Sequence, residues 1–169
     1  TVKGISTIKD IALLRVQGGG MVGVTGISRR LFGALARAEI NIILITQASS
    51  EHSICFVIKL EESKKAKTAI EEEFELEIEA KKINEVIIEK DLSIIAIIGE
   101  NMRHKPGVSG KMFQALGQNG INVVAIAQGS SELNISAVIP NKDTTKAINA
   151  LHDSFFLSET KSLNLFIIG

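Results

Sequence analysis

The 169-residue sequence contains no tryptophan, no tyrosine and a single cysteine, Cys55. One cysteine cannot form an internal disulfide bond, and it excludes a metal site built from several thiolates. The seven phenylalanines offer little aromatic surface for stacking nucleic-acid bases. These absences argue against a disulfide-stabilised domain, a cysteine-rich metal-binding domain and a single-stranded nucleic-acid binder.

The sequence also lacks an excess of charge and a long apolar run. Nineteen Lys and Arg residues balance nineteen Asp and Glu residues, so no basic field favours nucleic acid or anionic lipid. The longest apolar runs, such as residues 94–98, are far shorter than the roughly 20 residues of a membrane span. The first residues have no signal-peptide pattern, and we therefore expect a cytoplasmic location.

An internal repeat organises the chain. An offset of 81 residues aligns residues 11–59 with residues 92–140 without a gap. The identical pairs include Gly18/Gly99, Met21/Met102, Gly26/Gly107, Phe32/Phe113, Asn41/Asn122, Gln47/Gln128 and Ile54/Ile135. So many matches indicate two copies of one small fold.

Both copies predict the same order of secondary structure. β-Branched runs predict strands, and apolar residues at helical spacing predict helices. In the first copy, strands are predicted at 11–16, 40–47, 52–60 and 86–88, with helices at 28–38 and 62–74. In the second copy, strands are predicted at 92–98, 121–128 and 133–139, with helices at 109–119 and 143–152. Ser28 and Ser109 are the predicted helix N-caps, and Ser-Ser-Glu turns connect the two hairpin strands of each copy.

The order β-α-β-β-α-β is typical of ferredoxin-like units. The sequence therefore predicts an α+β fold with two ferredoxin-like βαββαβ units in tandem, at residues 11–90 and 91–158. The second copy has no clear fourth strand, and residues 2–5 could supply it, so we assign the strand from residues 1–10 to the second unit.

A glycine-rich motif at residues 18–23, GGGMVG, fits the dinucleotide-binding pattern G-x-G-x-x-G. Glu39 lies about 20 residues further on, where such a site places an acid for the ribose. The repeat argues against this hypothesis, because the second copy keeps only the first glycine of the motif. NAD binding through Gly18, Gly20 and Gly23 is nevertheless an alternative that an experiment can test.

The start of the first helix in each copy is a better candidate site. Backbone N–H groups at Gly26, Ile27 and Ser28 should form a seat for a carboxylate at a helix N-terminus. Asn41 and Gln47 bracket the neighbouring strand, so their amides could bind a small zwitterion; alternatively they are a turn residue and an edge polar group.

No combination of residues indicates catalysis. His52, His104 and His152 are dispersed without metal-ligand spacing. Glu51 and its counterpart in the second copy have no partner for acid–base chemistry, and Cys55 fits a small core residue. We therefore expect neither catalysis nor a metal or cofactor within this chain.

Three segments, residues 2–6, 45–51 and 124–132, resemble the tandem ACT domains of aspartokinases. Gln47 and Gln128 match glutamines that are associated with effector binding in threonine-sensitive members. Residues 155–158 and 163–169 resemble the junction into homoserine dehydrogenase in bifunctional enzymes. The resemblance therefore implies two ACT units, with residues 159–169 as a linker and the start of a homoserine dehydrogenase domain.

The resemblance implies feedback regulation by threonine and homo-oligomerisation through the ACT units. The parent protein would then be an aspartate kinase that uses ATP, fused to an NAD(P)-dependent dehydrogenase. The implied effector-binding residues are Met21, Val24, Gly26, Ile27, Asn41, Ile42 and Gln47 in the first unit, and Met102, Gly107, Val108, Asn122, Val123 and Gln128 in the second. Lys105-Pro106 replaces Val24-Thr25, so the second loop should differ in shape. The alternative function is a dimerisation scaffold that binds no effector.

Overall fold

The computed structural model describes residues 2–47, 52–102, 104–128 and 133–157. Six strands form one sheet: β1 (Val2–Gln17), β2 (Leu44–Gln47), β3 (Ser53–Lys59), β4 (Ile87–Gly99), β5 (Ala125–Gln128) and β6 (Asn134–Pro140). Five α-helices accompany it: α1 (Ile27–Arg37), α2 (Ser63–Glu73), α3 (Glu75–Glu79), α4 (Val108–Gln118) and α5 (Thr144–His152). A π-helical turn, Asp153–Leu157, follows α5. The predicted α+β fold with two repeated units is confirmed.

Two long central strands, β1 and β4, are shared between the two units. The sheet order is β2-β3-β1-β4-β6-β5, and every neighbouring pair is antiparallel. Residues 11–17 of β1 pair with β3, whereas residues 2–8 of β1 pair with residues 94–99 of β4. The N-terminal half of β1 thus supplies the strand that the second repeat lacks. The proposed domain boundaries stay a prediction.

Both long strands change their backbone conformation at equivalent positions of the repeat. Asp10 in β1 has φ 53° and Asp91 in β4 has φ 57°, which are left-handed values. The register between the strands shifts between Ile8 and Ile11, where each strand passes from one unit to the other. Such bulges bend a strand and increase its twist. They allow one continuous sheet to serve two units.

Each unit has its own apolar core between the sheet and its helices. Alternate residues of the strands, including Ile11, Leu13 and Ile94, form a third buried cluster on the opposite face. The outer strands β2 and β5 also come into contact with each other. The third cluster therefore joins both halves of the sheet on the face opposite to the helices.

Some local predictions were wrong. The helix N-caps are Gly26 and Gly107, not the serines, because α1 and α4 begin one residue earlier than predicted. The hairpin strands β2 and β5 each start four residues later than predicted, at Leu44 and Ala125. Helix α3 was not predicted. The Ser-Ser-Glu turns and residues 159–169 lie outside the described residues.

Candidate functional site

An open cleft with a volume of about 500 Å³ lies in the first unit, beside the N-terminus of α1. Three parts of the chain form it: the loop before α1, the first turn of α1, and the facing ends of β2 and β3. Its lining residues are Met21, Gly23, Val24, Thr25, Gly26, Ile27, Ser28, Arg29, Gln47 and Ile54. The residues predicted at the helix start, Gly26, Ile27 and Ser28, thus line a cleft, and the binding site itself stays a prediction.

The first turn of α1 presents free donors to this cleft. Gly26 is the N-cap with φ 90°, a left-handed conformation that glycine adopts without steric cost, and no side chain caps the helix. The first intrahelical hydrogen bond is the one that the Arg30 N–H donates to the Gly26 carbonyl over 3.0 Å. The preceding N–H groups lack intrahelical acceptors, and together they give this end of the helix a partial positive charge.

Strand β2 places Gln47 beside the same cleft. Gln47 pairs with Ile54 in β3, and paired residues of an antiparallel sheet point to the same face. Ile54 belongs to the core beneath the helices, so Gln47 also faces the helical side. Buried Met21 and Ile27 add apolar surface. The cleft therefore combines apolar walls, one amide and an electropositive helix end.

The structure brings together five of the seven residues implied for the first unit: Met21, Val24, Gly26, Ile27 and Gln47 all line the cleft. Asn41 and Ile42 do not. They precede β2, at the end of the strand opposite to Gln47.

Several lining residues were missed by the sequence reasoning, among them Thr25 and Arg29. Their position in the loop and first turn beside Gly26 was the available signal. Ile54 could have been found only from the strand register that pairs it with Gln47.

The second unit has a different cavity at the equivalent helix. Gly107 and Val108 line a space of about 160 Å³ together with Lys105, Pro106, Lys111, Phe155 and Val2. Met102 is buried in the core, and Asn122, Val123 and Gln128 do not line this cavity. The residues implied for the second unit are therefore not gathered around one cavity in the described part of the chain.

The glycine-rich motif has a packing explanation. A Cβ atom at Gly18 would lie 2.7 Å from the Cα of Ile83 and closer still to the Lys82 carbonyl oxygen; one at Gly20 would overlap the Lys82 side chain. The Gly20 N–H also donates to the Lys82 carbonyl over 2.9 Å. Because Gly18 and Gly20 have no side chain, the Lys82–Ile83 segment can pack directly against them. This packing accounts for the two glycines without a bound dinucleotide.

The remaining reactive groups of the described residues are not clustered. Cys55 is half-buried in β3, and burial raises the pKa of its thiol, although the nearby Arg15 guanidinium opposes that effect. Among the described residues, no three His, Cys, Asp or Glu side chains come together as metal ligands would. No described helix is both long and apolar enough to cross a membrane.

Comparison with known proteins agrees with this architecture. The ACT domain family matches twice, at residues 14–74 and 95–155. The bifunctional aspartokinase/homoserine dehydrogenase of Haemophilus influenzae is 41% identical over 99% of this chain, which spans 20% of that protein. The chain thus spans about a fifth of the length of this relative.

Solved structures give the same result. The regulatory subunit of aspartate kinase from Thermus flavus is 28% identical, with a TM-score of 0.78 over 91% of this chain and 98% of that one. E. coli aspartokinase III in complex with lysine and aspartate is 25% identical, with a TM-score of 0.70 over 92% of this chain and 33% of that one.

The chain belongs to the ACT domain family and contains two ACT domains in tandem. Its likeness to aspartokinases extends over nearly its whole length. It is a regulatory ACT region of the aspartokinase type, as the resemblance of its sequence predicted.

Proposed function

We propose that this region is the threonine sensor of an aspartate kinase fused to homoserine dehydrogenase. The cleft between the N-terminus of α1 and Gln47 is the observation that carries the proposal. A free amino acid needs a donor-rich seat for its carboxylate and a polar group for its side chain. The first-turn N–H groups and the Gln47 amide supply these two elements on either side of apolar walls.

Threonine would act by shifting the population of conformations. A ligand changes an equilibrium only through its different affinities for the two states, and allosteric coupling energies are typically about 1–3 kcal/mol. The kinase and dehydrogenase sites, with their ATP and NAD(P), would lie in the parts of the parent protein outside this chain. A cytoplasmic location stays a prediction.

Exposed apolar residues around the cleft support assembly into a homo-oligomer. Val22, Val24 and Ile45 are 45%, 51% and 49% exposed, and Ile45 lies on the outer strand β2. Outer strands in natural proteins are usually covered or otherwise protected. A second copy placed against β2 would cover these side chains and would close the open side of the cleft.

A thermal-shift titration of the chain with threonine, lysine, methionine and NAD tests the proposal first. At about 100 times Kd, a ligand that binds only the folded state adds about 2.7 kcal/mol to the free energy of unfolding. For a chain of this size, that is a rise in Tm of about 5–10 °C. We expect the rise with threonine alone. A rise with lysine or methionine alone would identify a different effector.

Substitution of Gln47 tests the role of the cleft. Gln47→Ala removes the amide on the exposed side of the cleft, and we expect it to weaken threonine binding about tenfold without lowering Tm in the absence of ligand. The matched control is Gln128→Ala, at the equivalent position of the second unit, where the amide lines no described cavity. Equal threonine affinity in the Gln47→Ala chain and the unchanged chain would contradict the assignment of the cleft.

The second candidate function is a dimerisation scaffold that binds no effector. The exposed apolar residues of the outer strands, Ile45 and its counterpart Ile126, favour it. Sedimentation would show a dimer under either hypothesis, so the ligand response separates them. Absence of a Tm shift with every amino acid, in a chain that sediments as a dimer, would favour the scaffold.

A further inference from the structure

Residues 75–82 run along one side of the first unit. They connect Phe74 to Ile83, whose side chains are 0% and 1% exposed in the core. The connection contains α3, and Glu77 of that helix accepts a hydrogen bond from Arg30, which also lies over the Phe74 ring. A carboxylate, a guanidinium and an aromatic ring therefore interact on this side of the unit, and both contacts are favourable.

In the second unit, the equivalent side opens into a cavity. By the 81-residue offset, the residues equivalent to Phe74, Arg30 and Ile83 are Phe155, Lys111 and Val2. These three line the cavity of about 160 Å³ beside α4, and the Lys111 Nζ lies 5.0 Å from the centre of the Phe155 ring. Phe155 and Val2 are near opposite ends of the sequence, so no short connection like residues 75–82 joins them. A cavity of this size can hold a small side chain or two.

The sequence after Phe155 contains one carboxylate at a matching position. Between Phe155 and residue 169 the only acidic residue is Glu159, which lies outside the described residues. Glu77 is three residues after Phe74, whereas Glu159 is four residues after Phe155. The turn Asp153–Leu157 is π-helical, and a π-helical turn contains one residue more than an α-helical turn. The extra residue compensates for the difference in spacing.

The distance and the charge both allow Glu159 to reach the cavity. Four residues of extended chain span at most about 14 Å, and Phe155 itself lines the cavity. Lys105 and Lys111 are both among the lining residues, and the N-terminus of α4 adds partial positive charge. A carboxylate that approaches this cavity is therefore attracted to it.

We propose that residues 158–160 dock over the cavity of the second unit, where Glu159 binds Lys111 as Glu77 binds Arg30 in the first unit. The second unit then closes its open side with the chain that follows Phe155 instead of with a helix such as α3. Docking fixes the place where the chain leaves the second unit. The inference does not depend on which effector the region binds.

Hydrogen–deuterium exchange of the 169-residue chain, measured at the amides of residues 158–161, tests the inference. Amides of a docked segment exchange more slowly than those of a solvated one. We expect Lys111→Met and Glu159→Gln each to raise these exchange rates about three- to fivefold, as the loss of one ion pair near the surface would do. Lys146→Met is the matched control, because it removes an exposed cation of the second unit that does not line the cavity.

A variant with exchanged charges separates an ion pair from a general effect of either substitution. Lys111→Glu combined with Glu159→Lys should restore the slow exchange of the unchanged chain. Unchanged rates in either single variant, or no restoration in the double variant, would overturn the docking of this segment. Rates that depend on protein concentration would also overturn it, because a second copy would then cover residues 158–160.

Discussion

The two ACT units have the same order of strands and helices, but equivalent residues in them have different neighbours. Phe74 and Phe155 are equivalent in the repeat, and a cation lies over each ring: Arg30 at 4.6 Å in the first unit and Lys111 at 5.0 Å in the second. In the first unit, α3 follows Phe74 directly, and its Glu77 also accepts from Arg30. In the first unit the cation over the phenylalanine ring thus belongs to a network with two glutamates, Glu73 and Glu77.

The surroundings of the two phenylalanines differ accordingly. In the first unit, the chain after α3 returns to the sheet, and Ile83 is buried in the core together with Phe74. In the second unit, Phe155 borders the 160 Å³ cavity beside α4. The comparison teaches that the repeated core specifies the fold, whereas the segments that differ between the units specify where the clefts open.

The second unit has a buried serine, Ser93, where the first unit has an apolar residue. The Thr144 hydroxyl donates to the Ser93 Oγ over 2.9 Å, and the Ser93 hydroxyl donates to Asn141. The first unit has Ala12 at the position of Ser93, inside its apolar core. A hydrogen-bonded network can replace apolar packing when each polar group finds a partner.

Truncation of the equivalent phenylalanines should have the largest effect and should separate the units most clearly. Phe74 is 0% exposed and Phe155 is 8% exposed beside a cavity. We expect Phe74→Ala to lower the free energy of unfolding by about 3–5 kcal/mol and Phe155→Ala by about half as much, as measured by urea denaturation. Leu76→Ala, at a residue that is 77% exposed, is the control and should change it little. Equal losses for both phenylalanines would show that the two environments are energetically alike.

The glycines of the first unit should show the next largest effect. Gly18→Ala places a Cβ against the Lys82–Ile83 backbone and should lower the free energy of unfolding by about 1–3 kcal/mol. Gly19→Ala is the matched control, because a Cβ there meets nothing within 4 Å. Thermal denaturation measures both. If Gly18→Ala is as stable as Gly19→Ala, close packing is not the reason for a glycine at position 18. Dinucleotide binding by the motif would then be the alternative to test.

Removal of the ionic network around Arg30 should have the smallest effect on the free energy of unfolding, and this effect should depend on pH. The hydrogen bond from Arg30 lowers the pKa of Glu77 below its usual value of 4.5. A carboxyl group with a lowered folded-state pKa stabilises the fold above its unfolded-state pKa, and this contribution is lost as the pH falls through the folded-state pKa. Arg30→Ala should cost about 1 kcal/mol at pH 7 and progressively less below about pH 4.5.

Urea denaturation of the unchanged chain and of Arg30→Ala between pH 7 and the acid range measures this difference. Arg37→Ala is the control, because Arg37 belongs to the same helix and pairs with Glu73 rather than with Glu77. A constant difference between Arg30→Ala and the unchanged chain at all pH values would contradict the assigned role of Glu77.

Much of the fold could be predicted because the repeat doubles the evidence for each element. Apolar periodicity placed α1, α4 and the central strands, and the absent fourth strand of the second repeat pointed to residues 2–5. The N-caps could not be predicted in the same way. Serine is a common cap, but the chain turns at Gly26 and Gly107 in a left-handed conformation, and this moves Ser28 into the first turn of α1.

The candidate site was predicted only in part, for a related reason. Gln47 and the start of α1 were found because both repeats keep them, whereas Arg29 was missed because its counterpart is Gly110. Asn41 was included because it flanks the same predicted strand, yet β2 begins only at Leu44 and its register directs Gln47, not Asn41, toward the cleft.

The sequence by itself determined that the chain has two equivalent α+β units. Both the apolar periodicity and the 81-residue repeat can be recognised from the order of the residues alone. Only the tertiary structure decided that β1 and β4 are continuous strands that serve both units, that β2 and β5 come into contact, and that the clefts of the two units differ. Those features depend on strand register, on left-handed residues such as Asp10 and Asp91, and on side chains that meet across long sequence separations. None of these leaves a periodic pattern in the sequence, because each is fixed by the packing of segments that are distant along the chain.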